Sequence, residues 1–247
     1  MKFKKGQQLK EHAAAIIAKL RQIYPDAHCE LDFTNPLELL VATILSAQCT
    51  DKRVNIVTRD LFRKLRTAAD YAAVPQEDLE VAIKSTGFFR SKSKSVRSMA
   101  QDLVNKFGGK VPASMDELTS LAGVGRKTAN VVLGNAFNIN AGIVVDTHVR
   151  RLAQRLGLTR QEDPDKIELD LMELVPQSDW TLFSHWLIWH GRRCCYSQKP
   201  DCVHCGLATI CPSFGEFVKP PTDVKVKKAS TARLRSPAAA RRPKKAA

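Results

Sequence analysis

Five of the chain's seven cysteines stand between residues 194 and 211, in CCYSQKPDCVHCGLATIC. Cys195, Cys202, Cys205 and Cys211 are separated by six, two and five residues, so four thiolates reach one centre within 17 residues of chain. Structural zinc generally carries two C-x2-C knuckles; one knuckle with longer arms points instead to an iron-sulfur cluster, which takes four thiolates in varied spacings. Cys194 rivals Cys195 as a ligand, but one step round a helical end it is expected to point about 100° away. His204 is expected to face solvent, the thiolates filling four positions, and Cys29 and Cys49 read as small buried hydrophobes.

A second stretch, LAGVGRKTANVV at 121–132, places two glycines before two cations at the start of an apolar helical run. Gly123, Val124 and Gly125 form a tight hairpin that lets backbone approach a phosphate, and the free N-H groups at the helix start bind that anion. Arg126 is expected to face the phosphate. Lys127 has two readings: a second phosphate ligand, or, if desolvated in a cleft, an amine nucleophile, since a helix start disfavours its charged form. A third stretch, GIVVDTHVRR at 142–151, sets Asp146 directly before a helical pattern. Asp146 either caps that helix or, facing a cleft, holds a cation or assists an amine.

Periodicity is helical nearly throughout, with Asn35-Pro36 opening a helix over LELLVATILSA and further helices over 78–85, 92–107, 116–121, 126–137, 147–156, 164–174 and 179–191. Only GIVVD reads as strand-like, too short and isolated for a sheet, so the fold class is all-α. The net charge of +14 asks for an anionic partner. Residues 219–247 hold ten Lys or Arg against Asp223, with four prolines, and are expected to be disordered, with two readings: nonspecific affinity for that anionic partner through counterion release, or a solvated terminus with no role. Residues 84–110 add seven basic side chains against Asp102, a second basic stripe. No long apolar run or secretory pattern stands in the sequence, so no membrane partner is expected and the location is expected to be cytoplasmic.

Taken in order, LAGVGRKTANVV, VDTHVRR and the cysteine loop preceded by HWLIWHGRRCC resemble the endonuclease III family of the helix-hairpin-helix glycosylase superfamily, over about residues 7–217. LLVATILSAQCTD at 39–51 and GFFRSKSKSV at 87–96 look like two further family segments. The resemblance implies a monomeric enzyme that removes oxidised pyrimidines from double-stranded DNA and cleaves at the abasic site by β-elimination. Lys127 would be the Schiff-base nucleophile and Asp146 its acidic partner. Gln48 would fill the space left by the flipped nucleotide and Phe88 would wedge the opposite strand, where the family would be expected to carry leucine. His148 would line the lesion pocket, unless it is simply a packed histidine. Cys195, Cys202, Cys205 and Cys211 would hold a [4Fe-4S] cluster, presenting Lys199 to the DNA backbone. The architecture implied is a helical barrel over 29–136, a cluster domain joining 1–28 to 137–217, and a basic tail over 218–247.

Overall fold

The computed structural model describes residues 5–218. Twelve α-helices and no strand are found among them. The buried apolar side chains fall into two clusters. The first is built from α2 (Pro36–Leu45), α3 (Asp51–Lys64), α4 (Ala68–Ala73), α5 (Gln76–Ile83), α6 (Phe89–Phe107), α7 (Met115–Thr119) and α8 (Arg126–Ala136). The second joins α1 (Gln7–Ile23) to α9 (Thr147–Arg155), α10 (Pro164–Leu174) and α11 (Trp180–Arg193), with Leu207 from the cysteine loop. A short α12 (Phe214–Phe217) ends the described chain. The tail over 219–247 lies outside the described residues.

Local chemistry accounts for the helix starts that matter. Asn35 accepts from the Glu38 N-H at 3.0 Å and Pro36 occupies the first helical position, so α2 begins sharply and runs buried through Leu39–Leu45. Asp146 caps α9 by accepting from the N-H groups of His148 and Val149, both at 2.8 Å. Ile143 and Val145 bury in the second cluster, while the Val144 N-H donates to Ser184 Oγ at 2.9 Å. The strand-like GIVVD is thus an extended connector, its backbone served by a side chain, that delivers Asp146 to the seam between the clusters.

Two boundaries differ from the periodicity. Helix α4, at six residues, is too short to show as a stripe, yet Thr67 and Asp70 form a reciprocal capping box there. Helix α6 starts at Phe89, ahead of the expected 92, because Phe88 (φ 47°) turns the chain in the left-handed region immediately before it. The basic stripe over 84–110 is also partly neutralised: Lys106 pairs with Asp102 at 2.8 Å, Arg90 lies 4.0 Å from Glu80, and Lys92 is buried.

Candidate functional site

A cavity of about 810 Å³ opens along the seam, walled by both clusters. Lys127 on α8, Asp146 and His148 at the start of α9, and Gln48 and Phe88 on two turns of the first cluster all line it. The chain turns into α8 at Gly123, whose φ of 76° favours glycine, while Gly125 (φ −93°) is ordinary backbone. Gly125 contributes bareness instead: a Cβ there would meet nothing within 4 Å, and no side chain caps α8. The first-turn N-H groups of α8 therefore present an open anion site.

Arg126 does not sit free at that site. Its Nε and Nη2 donate to the two carboxylate oxygens of Glu168 on α10 at 2.8 and 3.0 Å. Asn130, one turn on, donates to the same carboxylate at 2.9 Å, and a Cβ on Gly142 would lie 2.0 Å from it, so glycine is required. Glu168 is 5% exposed, and the hydrogen bonds raise the Arg126 pKa further. The guanidinium thus ties the hairpin helix to the second cluster, and leaves the first-turn backbone N-H groups of α8 uncovered. Arg126→Ala is expected to lower unfolding free energy by about 2 kcal/mol, less than a fully buried pair because Arg126 is half-exposed and Asn130 still serves the stranded carboxylate. Urea denaturation checks this; an unchanged stability with a lower salt slope of DNA binding returns Arg126 to the phosphate.

Lys127 is exposed on the cavity wall, where either of its two sequence readings, phosphate ligand or amine nucleophile, has access to a bound substrate. Asp146 spends Oδ1 on the α9 cap; Oδ2 takes no hydrogen bond from the described residues. Asp146 therefore caps the helix with one oxygen and leaves the other unengaged at the cavity. Burial lowers the pKa of His148, with the Asp146 charge opposing, and Arg151 donates to its Nδ1 at 3.2 Å.

Deeper in the cavity lies a pair that the sequence does not signal. His185 on α11 hydrogen-bonds Asn135 on α8 through Nε2 at 2.7 Å, and burial, with His28 and Arg192 adding, lowers its pKa to about 4. Because this folded-state value lies below that of an unfolded histidine, the unfolded chain takes up the proton first as pH falls. Stability from this site is complete above about pH 6.5 and declines towards pH 4. The loss is roughly 2 kcal/mol between pH 7 and pH 5, and His185→Gln is expected to remove that part of the acid sensitivity in urea titrations at the two pH values.

The cysteines converge at the far end of α11. Cys194, Cys195, Cys202, Cys205 and Cys211 line one pocket with His190, Leu152, Leu156 and Leu207, and none forms a disulfide. Cys194 does not point away. Helix α11 stops at Arg193 and Cys194 leaves it with φ −140° and ψ −60°, so the step of a regular helix does not apply, and its sulfur lies within 4.8 Å of Cys205 Sγ and a His190 ring nitrogen. That group can hold a metal ion. The Leu207 N-H donates to Cys205 Sγ at 3.4 Å and Arg155 to Cys195 Sγ at 3.3 Å, which offsets thiolate charge as metal-bound sulfurs require. Arg155 also donates to the carbonyls of Tyr196 and Ser197 at 2.7 and 2.9 Å, and Arg151, one turn earlier, to those of Gly191 and Cys195, both at 3.0 Å. Their spacing of four in VRRLAQR is the signal by which sequence could have found them. Lys199 is exposed on the loop between Cys195 and Cys202, and exposed His204 pairs with Asp201 at 2.8 Å. Cys29 and Cys49 pack half-buried against the first cluster rather than within it.

The fold and this seam define a class. Residues 41–177 match the HhH-GPD superfamily base excision DNA repair protein family, and the chain belongs to it. Within the superfamily, it is 52% identical to endonuclease III of Synechocystis over 211 residues, spanning 85% of this chain and 96% of that one. It is 47% identical to endonuclease III of Bacillus subtilis over 194 residues, 78% and 88% of the two chains. A solved non-covalent endonuclease III-DNA complex superposes with TM-score 0.80 at 45% identity, over 84% of this chain and 97% of that one. A trapped endonuclease III-DNA covalent intermediate gives TM-score 0.80 at 44% identity over the same shares. The chain is a DNA glycosylase/lyase of base excision repair.

Proposed function

We propose that the seam receives duplex DNA and that Lys127 removes an oxidised pyrimidine from it through a Schiff base. The observation that carries this reading is the shared cavity: an amine at an uncapped helix start and a carboxylate with one unengaged oxygen line it from opposite cores. The base leaves the stack, because its sugar carbon is out of reach within it. Lys127 Nζ attacks C1′, the base departs, and loss of a C2′ proton expels the 3′ phosphate by β-elimination, cleaving the strand. Asp146 Oδ2 stabilises the cation that develops and handles the protons. An abasic site enters the same sequence after base loss. A relative captured as a covalent intermediate with DNA supports the chemistry.

In this reading the Gly123-Val124-Gly125 hairpin and the α8 start hold a phosphate through the N-H groups of Gly123, Gly125 and the first helical turn, Val124 N-H being engaged by Leu121 O at 3.1 Å; Gln48 and Phe88 enter the duplex, and His148 borders the extruded base. The two cores act as domains, 29–136 and 1–28 with 137–217, in a monomer working on the bacterial nucleoid. No helix among the described residues is long and apolar enough to cross a membrane. Cys195, Cys202, Cys205 and Cys211 hold a [4Fe-4S] cluster that fixes the Lys199 loop against the DNA backbone, with His190 donating to sulfur. The purified protein is then expected to be yellow-brown with acid-labile sulfide, and Cys205→Ala to lose colour and DNA affinity together; a colourless zinc protein overturns the cluster. Borohydride trapping on a duplex with one oxidised pyrimidine tests the whole reading. A covalent protein-DNA band is expected, and intact protein that binds the duplex without such a band overturns the lyase.

A further inference from the structure

Lys92 is the one lysine that the structure buries among the described residues, at 5% exposure, and the chemistry above makes no use of it. It stands in the first turn of α6 and borders the cavity. Its ammonium donates to two backbone carbonyls, Leu45 O and Thr86 O, each at 2.8 Å. Leu45 is the last residue of α2, where a cation meets the negative end of the helix. Thr86 is the last residue of a short 3-10 turn whose hydroxyl is itself held by Ile83 O at 2.8 Å. Withdrawing an ammonium from water is costly, and burial lowers its pKa, so the two carbonyls are what keep it inside.

Both carbonyls lie just upstream of a strained turn. Three residues after Leu45 comes Gln48, with φ 52°, and two residues after Thr86 comes Phe88, with φ 47° and 65% exposure. Non-glycine residues persist in the left-handed region only where their surroundings hold them there. Here both strained residues border one cavity, and one buried cation grips the chain ahead of each. The backbone supplies its own closure as well, with Cys49 N-H donating to Ser46 O at 3.0 Å and Lys92 N-H to Phe88 O at 3.0 Å.

We propose that Lys92 is a positioning residue that locks the Gln48 and Phe88 turns to one another, so that the two side chains enter the duplex at a set spacing. This rests on the reading that Gln48 and Phe88 engage DNA. Lys92 itself touches neither substrate nor reacting atom.

The test is a double-mutant cycle on the full chain with its metal centre intact. Lys92→Met keeps length and removes the donor. It is made alone and in a Gln48→Ala, Phe88→Ala background, with unfolding midpoints recorded for each. Single-turnover excision from a lesion duplex is read together with the fluorescence of 2-aminopurine placed opposite the lesion. Lys92→Met alone is expected to slow duplex excision by about 10- to 100-fold and to suppress the fluorescence rise, since misplacement of about 1 Å is enough for such losses. In the double-alanine background it is expected to cost less than about threefold further, because nothing remains to be positioned. The same full loss in both backgrounds overturns the proposal and makes Lys92 a core staple only. If the double-alanine protein processes duplex like the parent, the reading beneath fails first, a result distinct from full additivity. Should Lys92→Met not fold, Lys92→Gln, which keeps an amide donor, enters the same cycle.

Discussion

Lys127→Ala is expected to abolish strand cleavage and borohydride trapping, by about 10⁴-fold or more, while duplex affinity falls less than about tenfold. The separation comes from where the side chain sits. The proposed phosphate contact at the hairpin uses backbone N-H groups of an uncapped helix, and alanine leaves those untouched. The amine, by contrast, is the only proposed source of the covalent bond. Fold damage does not confuse the result, because Lys127 is exposed in the first turn of α8. A cation there opposes the helix dipole and alanine is the best helix former, so the inactive variant is expected to be more stable by a few tenths of a kcal/mol. Lys127→Arg sharpens the test. A guanidinium binds phosphate at least as well as an ammonium but stays protonated, so it keeps affinity and regains no cleavage. Recovery of cleavage in the arginine variant overturns the nucleophile and leaves a cationic clamp.

How much of the molecule is legible in the sequence depends on how far apart the cooperating residues lie in the chain. The cysteine loop, the hairpin and the Asp146 cap are each complete within one stretch, and spacing alone places their residue types. Lys92 shows the opposite case. In GFFRSKSKSV it looks like one more cation of a basic stripe, and only its contact with Leu45, 47 residues earlier, reveals a buried staple. Arg126 looks aimed at phosphate because its partner Glu168 lies 42 residues downstream in an ordinary amphipathic helix. The second core is equally hidden: Trp186 Nε1 donates to Tyr24 O at 3.1 Å across 162 residues, and no periodicity reports such a pairing. Cys194 departs from expectation for a local reason, since the helical step does not carry one residue past the end of the helix. Pattern reading thus recovers elements and the cysteines that share one pocket, while the buried polar contacts that fix their geometry need the fold.

Asp146 offers the second large effect, and its cap and its proposed chemical duty can be pulled apart by choice of substituent. One oxygen caps α9 and the other is unengaged at the cavity, so asparagine and alanine remove different things. Asparagine retains an oxygen acceptor for the His148 and Val149 N-H groups and ranks with aspartate as a cap, so Asp146→Asn is expected to unfold within about 0.5 kcal/mol of the parent. It loses the negative charge proposed to steady the developing cation and the acceptor-only chemistry proposed to take a proton, and excision is expected to fall about 10²- to 10⁴-fold. Asp146→Ala loses both duties, adding about 1 kcal/mol of destabilisation to the same kinetic defect. Trapping on a preformed abasic site separates the steps further: Lys127 is present in both variants, so some covalent product is expected, formed slowly. Measuring unfolding and single-turnover excision on the three proteins settles which duty matters to the reaction. If the asparagine variant excises at the parent's rate while the alanine variant does not, the cap alone was at work and the carboxylate has no part in the chemistry.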